Sequence, residues 1–175
     1  NRTGSTRLFS QGFDGRVLNT DGSINQYVSL TPAGLSLQDS SGHSGFLTAE
    51  LIMQFANTGR KIYPGNSWVT NTDSIKPTLK MEECAIGWLF LWQPYDTTNG
   101  KPLTWDYTYY LVPKAHANFN SGRGINMRLQ GAGTGGGAND TVYKYVYVSN
   151  TSVSGTVNNG TGNGAKWVLT SIFSV

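Results

Sequence analysis

Apolar and polar positions alternate through most of the second half of the chain. Ile125, Met127 and Leu129 alternate with Asn126, Arg128 and Gln130, a period of two that predicts a strand with one buried face. From Thr141 to Val148, Val142, Val146 and Val148 share one face while Tyr143, Tyr145 and Tyr147 share the other. Leu103 to Val112 sets Leu103, Trp105, Tyr107, Tyr109 and Leu111 opposite Thr104, Asp106, Thr108 and Tyr110, predicting one amphipathic strand. Trp167, Leu169, Phe173 and Val175 fall on one parity of the last segment, which predicts a terminal strand tied into a sheet. Cys84 to Trp92 is apolar on both parities, with Cys84, Ile86, Trp88, Phe90 and Trp92 against Ala85, Leu89 and Leu91. Such a strand is covered on both sides, within a sandwich or at a subunit contact.

Elsewhere the punctuation carries the signal. Up to about Gly45, Asp14-Gly15, Asp21-Gly22 and Thr31-Pro32-Ala33-Gly34 separate short segments such as Tyr27 to Leu30 and Leu35 to Leu37, as short strands joined by tight turns would be. Leu47 to Phe55 fits a helical face through Leu47, Leu51 and Phe55 and a strand face through Leu51, Met53 and Phe55. The flanking Gly45 and Gly59 favour a strand. Residues 56–83 show little periodicity and hold Pro64, Gly65 and Pro77, a long connection of the kind that is often functional. Gly131 to Asp140 is a glycine-rich loop, and Ser149 to Ala165 is too polar for core. The predicted fold is all-β, a two-layered antiparallel body of one domain, with long loops suited to recognition.

Composition narrows the partners. Only 13% of the 175 residues are charged and 22 are glycine, so neutral hydrogen-bonding groups cover the surface. The formal charge of +3 favours an acidic glycan or an anionic cell surface. The basic residues are scattered, with Arg60 and Lys61 the only adjacent pair, so no nucleic-acid stripe is expected. A single cysteine, Cys84, excludes an internal disulfide and a cysteine metal site. No apolar stretch approaches the roughly 18 residues of a span, so no membrane insertion is expected. The start at Asn1, without Met, suggests a fragment.

Catalytic patterns are missing. Gly131-Ala-Gly133-Thr-Gly135-Gly136 has dinucleotide-loop spacing, but a Val- and Tyr-rich strand follows where a helix is required. His43 and His116 each lie in a polar loop without a Cys, Glu or second His at metal spacing, and no Gly-x-Ser-x-Gly elbow accompanies them. Glu82 and Glu83 are adjacent and point apart in a strand, while a pair such as Glu50 with Asp106 has no positive support. The expectation is a binding protein with no catalytic residue, cofactor or metal. Trp88, Trp92, Tyr95 and Trp105 gather around one loop, where rings beside amides and hydroxyls suit a sugar. Tyr95 and Tyr110 are the ring candidates for a ligand, and Trp88 is core. Sequons at Asn139, Asn150 and Asn159 mark exposed loops.

Three segments, in order, resemble the head or knob of the adenovirus fibre. Glu50-Leu-Ile-Met-Gln-Phe55, then Gly59 and Asn66-Ser67-Trp68, is similar to that family's Leu-Ile-x-x-Phe strand and the loop after it. Ala85-Ile-Gly-Trp88, through Pro94-Tyr95 to Tyr109-Tyr110-Leu111, is similar to its Ala-Val-Gly-Phe strand and a following strand ending Tyr-Leu. Ile125 to Leu129, Tyr143 to Val148 and Trp167 to Val175 follow in the order of its last three strands. The match covers residues 47–175. Residues 1–45 lack the Thr-Leu-Trp-Thr opening, although Tyr27 to Leu37 is similar to one fibre-shaft repeat, which points to a divergent member.

The resemblance implies N-terminal strands with a shaft-like repeat over 1–45 and a head over 46–175. The head would be an antiparallel sandwich of about eight strands assembled as a homotrimer. It implies a capsid fibre on the virion surface, assembled in the host nucleus, that attaches to a host-cell receptor. That receptor is an immunoglobulin-like protein or a sialylated glycan. For sialic acid it implies Tyr110 and Pro113, with Lys114 or Lys166 as partner of the carboxylate. A bacterial adhesin or lectin-type carbohydrate-binding sandwich shares the same strand pattern.

Overall fold

The computed structural model describes residues 3–9, 12–130 and 141–175. The expected glycine-rich loop and its sequon at Asn139 lie outside these residues. The fold is predominantly β with antiparallel pairing throughout, and it divides into two compact units, residues 1–53 and 54–175.

The first unit is a five-stranded meander in sequence order: β1 (Thr3–Phe9), β2 (Gly12–Leu18), β3 (Ile24–Thr31), β4 (Gly34–Gln38) and β5 (Ser44–Leu47). Two of its hairpins turn on an aspartate, whereas Asp14-Gly15, expected at a turn, lies inside β2, paired on both sides. Asp21 accepts from the Ser23 amide and hydroxyl at 2.9 and 2.6 Å, and these bonds hold its carboxyl below the usual range. Asp39 accepts from the amides of Ser41 and His43 and sits 2.9 Å from His43 Nδ1, its leading cause of a lowered pKa. The register aligns Leu8, Phe13, Leu30, Leu35 and Leu47 across the strands, with Gly15, Val28 and Leu37 in the neighbouring row. The opposite face carries Arg7, Asp14, Arg16, Ser29 and Ser36. Its apolar face is therefore free of ionised residues among those described, yet Leu8 is 83% exposed and Leu30 52%. Asp14, paired with Arg16 Nε at 2.8 Å, is the buried residue there.

Helix α1 (Ala49–Ala56) follows, and here the structure corrects the expected strand over Leu47 to Phe55. Thr48 decides it locally: its hydroxyl accepts from the Leu51 amide at 3.1 Å and its carbonyl from the Ile52 amide at 3.1 Å, an N-terminal cap. Leu51 and Phe55 lie on the helix, while Leu47 ends β5.

In the second unit, β6 (Lys61–Ser67), β13 (Trp167–Ser174), β7 (Gly87–Asp96) and β9 (Thr108–Pro113) pair in that order, with β8 (Lys101–Pro102) on the far end of β7. A second sheet orders β10 (Arg123–Gln130), β11 (Thr141–Val148) and β12 (Val153–Gly155), and α2 (Lys114–Asn120) joins β9 to β10. Trp88, Phe90, Trp92, Leu169 and Ile172 from the first sheet and Met127, Leu129 and Val146 from the second have no exposed surface and form one core. Each such side chain contributes about 1.5–3 kcal/mol on leaving water. Cys84 is a free buried thiol whose pKa burial raises.

Two strand expectations and one loop expectation are adjusted. Leu103 to Val112 is broken: β9 begins only at Thr108, and Tyr109 and Leu111, the parity expected inside, are 56% and 45% exposed while Val112 is buried. Asp106 takes φ 62°, redirecting the chain into β9. In β13 a register shift between Leu169 and Ser171 turns both Leu169 and Ile172 inward, so a single parity does not run through the strand. Ser149 to Ala165, expected to be too polar for core, buries Val153, Gly155, Asn159 and Gly164. The sequon at Asn159 is thus not on an exposed loop.

Candidate functional site

Where β7 ends, Tyr95 and Asp96 pair with Pro102 and Lys101 of β8, and the intervening turn is tied by the Asp96 carboxylate. It accepts from the Thr98 and Asn99 amides at 2.9 and 3.1 Å and from Asn99 Nδ2 at 2.6 Å. The Asn99 side chain is the leading cause of its lowered pKa. Gly100, at φ 65°, closes the turn with its amide on the Asp96 carbonyl. The next segment is stitched back to β7 by the Leu103 amide on the Pro94 carbonyl at 2.8 Å and Gln93 Nε2 on the Leu103 carbonyl at 2.6 Å.

This stitching opens a recess of about 370 Å³ lined by Tyr95, Asp96, Thr97, Thr98, Leu103, Trp105 and Lys166. Its floor is braced from behind. Trp68 stands edge-on to Tyr95, and its Nε1 donates to the Ala165 carbonyl at 2.9 Å, one residue before Lys166. Two aromatic residues, two threonines and a lysine among the lining residues are types that suit a sugar ring and its oxygens. Trp88 and Trp92, expected near the same loop, are wholly buried core.

The segment carrying Lys166 is shaped by two buried polar residues that the sequence reading missed. Asn159 donates to the Val69 and Tyr145 carbonyls at 2.7 and 2.9 Å and accepts from the Tyr145 amide at 3.0 Å. Lys144, on the valine face of β11, places its ammonium on the carbonyls of Asn159, Gly164 and Trp167 at 2.7, 2.7 and 2.8 Å. Burial lowers its pKa to about 7. A charged residue at an apolar position of an alternating strand was the available signal.

A second recess, about 380 Å³, lies between β9, α2 and β10, and Tyr110, Pro113, His116, Phe119, Asn120 and Ile125 are among its walls. Phe119 is 83% exposed, and His116 Nε2 is buried without a hydrogen-bond partner among the described residues. His116 sits on α2 rather than in a loop. The five ligand candidates therefore fall into two groups: Tyr110 with Pro113 here, and Tyr95 with Lys166 in the first recess. Lys114 lines neither; its Nζ donates to the Cys84 carbonyl at 2.9 Å. The implied sialic-acid set of Tyr110, Pro113 and a lysine is not gathered into one recess.

Among the described residues no group of three or more His, Cys, Asp or Glu converges as a metal site, and no helix is long and apolar enough to cross a membrane. No family model matches the chain, and no curated protein matches it.

Proposed function

We propose that this chain is the receptor-binding head of a viral attachment protein, an antiparallel sandwich working as a homotrimer that grips a host-cell glycan without catalysis. The observation that carries binding is the first recess, where Tyr95, Trp105, Thr97, Thr98 and Lys166 line one cavity. Asp96 is engaged by its own turn, so donors and aromatic faces dominate what a ligand meets. An acceptor-rich sugar, including a sialylated one, matches that lining.

The oligomeric part is supported by the apolar face of the meander, free of ionised residues among those described and exposed at Leu8, Leu30 and Leu37, and by the outer side of β9, where Tyr109 and Leu111 lie beside Leu91 and Leu89. Exposed apolar faces of this kind mark interaction surfaces, and in a cyclic trimer each copy would cover one on its neighbour. On this reading the protein stands on the virion surface as part of a capsid fibre.

Sedimentation together with a glycan array on the same sample tests the proposal. A trimer that binds acidic glycans, with binding lost in Tyr95→Ala, is expected. A trimer that binds a protein receptor and no glycan rejects the sugar reading. A monomer that binds glycans points instead to an adhesin or lectin-type module, and release of sugar from a chromogenic glycoside overturns the non-catalytic reading.

A further inference from the structure

Lys144 occupies a core position of β11 between Val142 and Val146, with no exposed surface. Its ammonium meets neutral groups: the three carbonyls of Asn159, Gly164 and Trp167, the Trp68 carbonyl at 3.5 Å, and the Trp92 ring with its centroid 5.2 Å away. A buried ammonium without a carboxylate is costly, and a methionine would fill similar space without that cost. What the ammonium supplies is three directed donors. All three short bonds end on one stretch of backbone, 159–167, and two of them bracket Ala165 and Lys166.

We propose that Lys144 is a positioning residue for the recess of Tyr95, Trp105 and Lys166, gathering the backbone of 159–167 so that Lys166 faces the ligand in a fixed place. The inference rests on reading that recess as the glycan site. The path is short on both sides. The Gly164 and Trp167 carbonyls hold the chain immediately around Lys166, while the Ala165 carbonyl anchors Trp68, whose edge supports the Tyr95 ring. Without the ammonium those carbonyls must turn toward water, and the segment that carries Lys166 must open to let them.

The experiment compares wild type, Lys144→Met, Trp105→Ala and Val146→Ala, the last a core change outside the recess. It measures Kd for a sialylated and a neutral trisaccharide, with backbone amide exchange on the same samples at a temperature where each variant is fully folded. In Lys144→Met, Kd is expected to rise about tenfold and the amides of 160–167 to exchange faster, while those of β7 and β10 stay protected. Val146→Ala keeps the wild-type Kd. A folded Lys144→Met with unchanged Kd or unchanged exchange overturns the proposal, and so does equal weakening in Val146→Ala, which would trace the effect to stability alone.

Should Lys144→Met fail to fold, Lys144→Arg replaces it. That variant keeps charge and donors but sets them farther out, so a severalfold weaker Kd is expected and a wild-type Kd overturns the proposal. Wild type that binds neither trisaccharide removes the reading of the site and this inference with it. Binding that Trp105→Ala abolishes and Lys144→Met leaves intact removes this inference alone.

Discussion

The indole of Trp68 meets the Tyr95 ring edge-on, with centroids 4.9 Å apart and planes inclined at 70°. The same indole donates to the Ala165 carbonyl, so one side chain ties the end of β7 to the chain beside Lys166. An aromatic pair contributes about 0.5–1.5 kcal/mol beyond burial, and a hydrogen bond about 1 kcal/mol. Trp68→Ala is therefore expected to lower unfolding free energy by about 3 kcal/mol in a denaturant titration and to weaken glycan binding. Trp68→Phe keeps much of the ring contact and loses the bond to Ala165, so it should fall between the two.

Stability should depend on pH through Lys144. The unfolded lysine titrates near 10.5, whereas burial brings the folded one to about 7. Between these values the unfolded chain holds more protons, so stability rises with pH across that window, by at most ~1.4 kcal/mol per unit. Below about 7 both states carry the proton and this slope vanishes. Deprotonation also removes one donor from three carbonyls, which softens the gain. Unfolding free energies measured from pH 6 to 10 should show the rise in wild type and lack it in Lys144→Met. A wild-type profile no steeper than that of the variant rules out the titration.

Asn159 makes three bonds inside the fold and is 1% exposed. Replacing it with leucine strands the Val69 and Tyr145 carbonyls and the Tyr145 amide, at a cost of about 3 kcal/mol or more. The same burial makes Asn159 a poor acceptor for an attached glycan, although its sequence reads Asn-Gly-Thr. Expression through a secretory pathway followed by mass spectrometry should find position 159 unmodified in the folded protein.

The apolar face of the meander gives a test of assembly. Leu30 stands at the middle of the aligned row of Leu8, Phe13, Leu35 and Leu47 and is 52% exposed. Leu30→Glu places a charge on a face that carries none among the described residues. The sedimentation coefficient should drop to that of a monomer while the far-ultraviolet spectrum of the strands persists. Ser29→Glu, on the opposite face, should leave the assembly intact.

Much of the strand content was readable where burial is one-sided. Met127 and Leu129, or Val142 and Val146, alternate because their neighbours face outward, and all four are buried as expected. Reading failed where a local interaction outweighed parity. The Thr48 cap turned an ambiguous apolar run into a helix, the positive φ of Asp106 broke the Trp105 and Tyr109 alternation, and the bulge in β13 reset its phase. The site was legible in part. Tyr95 and Trp105 share a recess as their chain proximity suggested, but Lys166 joins them from far along the sequence through bonds that only the fold creates.

Strand β13 lies between β6 and β7, and just past its end the Val175 backbone exchanges bonds with Gly87 of β7 at 2.9 and 3.0 Å. During vectorial synthesis both neighbours leave the ribosome long before the strand that must separate them. Until it arrives, the Trp88, Phe90 and Trp92 side chains wait without their seam, so the sheet closes as a late, all-at-once event. A nascent chain paused before Trp167 would be a client for chaperones rather than a partly finished head.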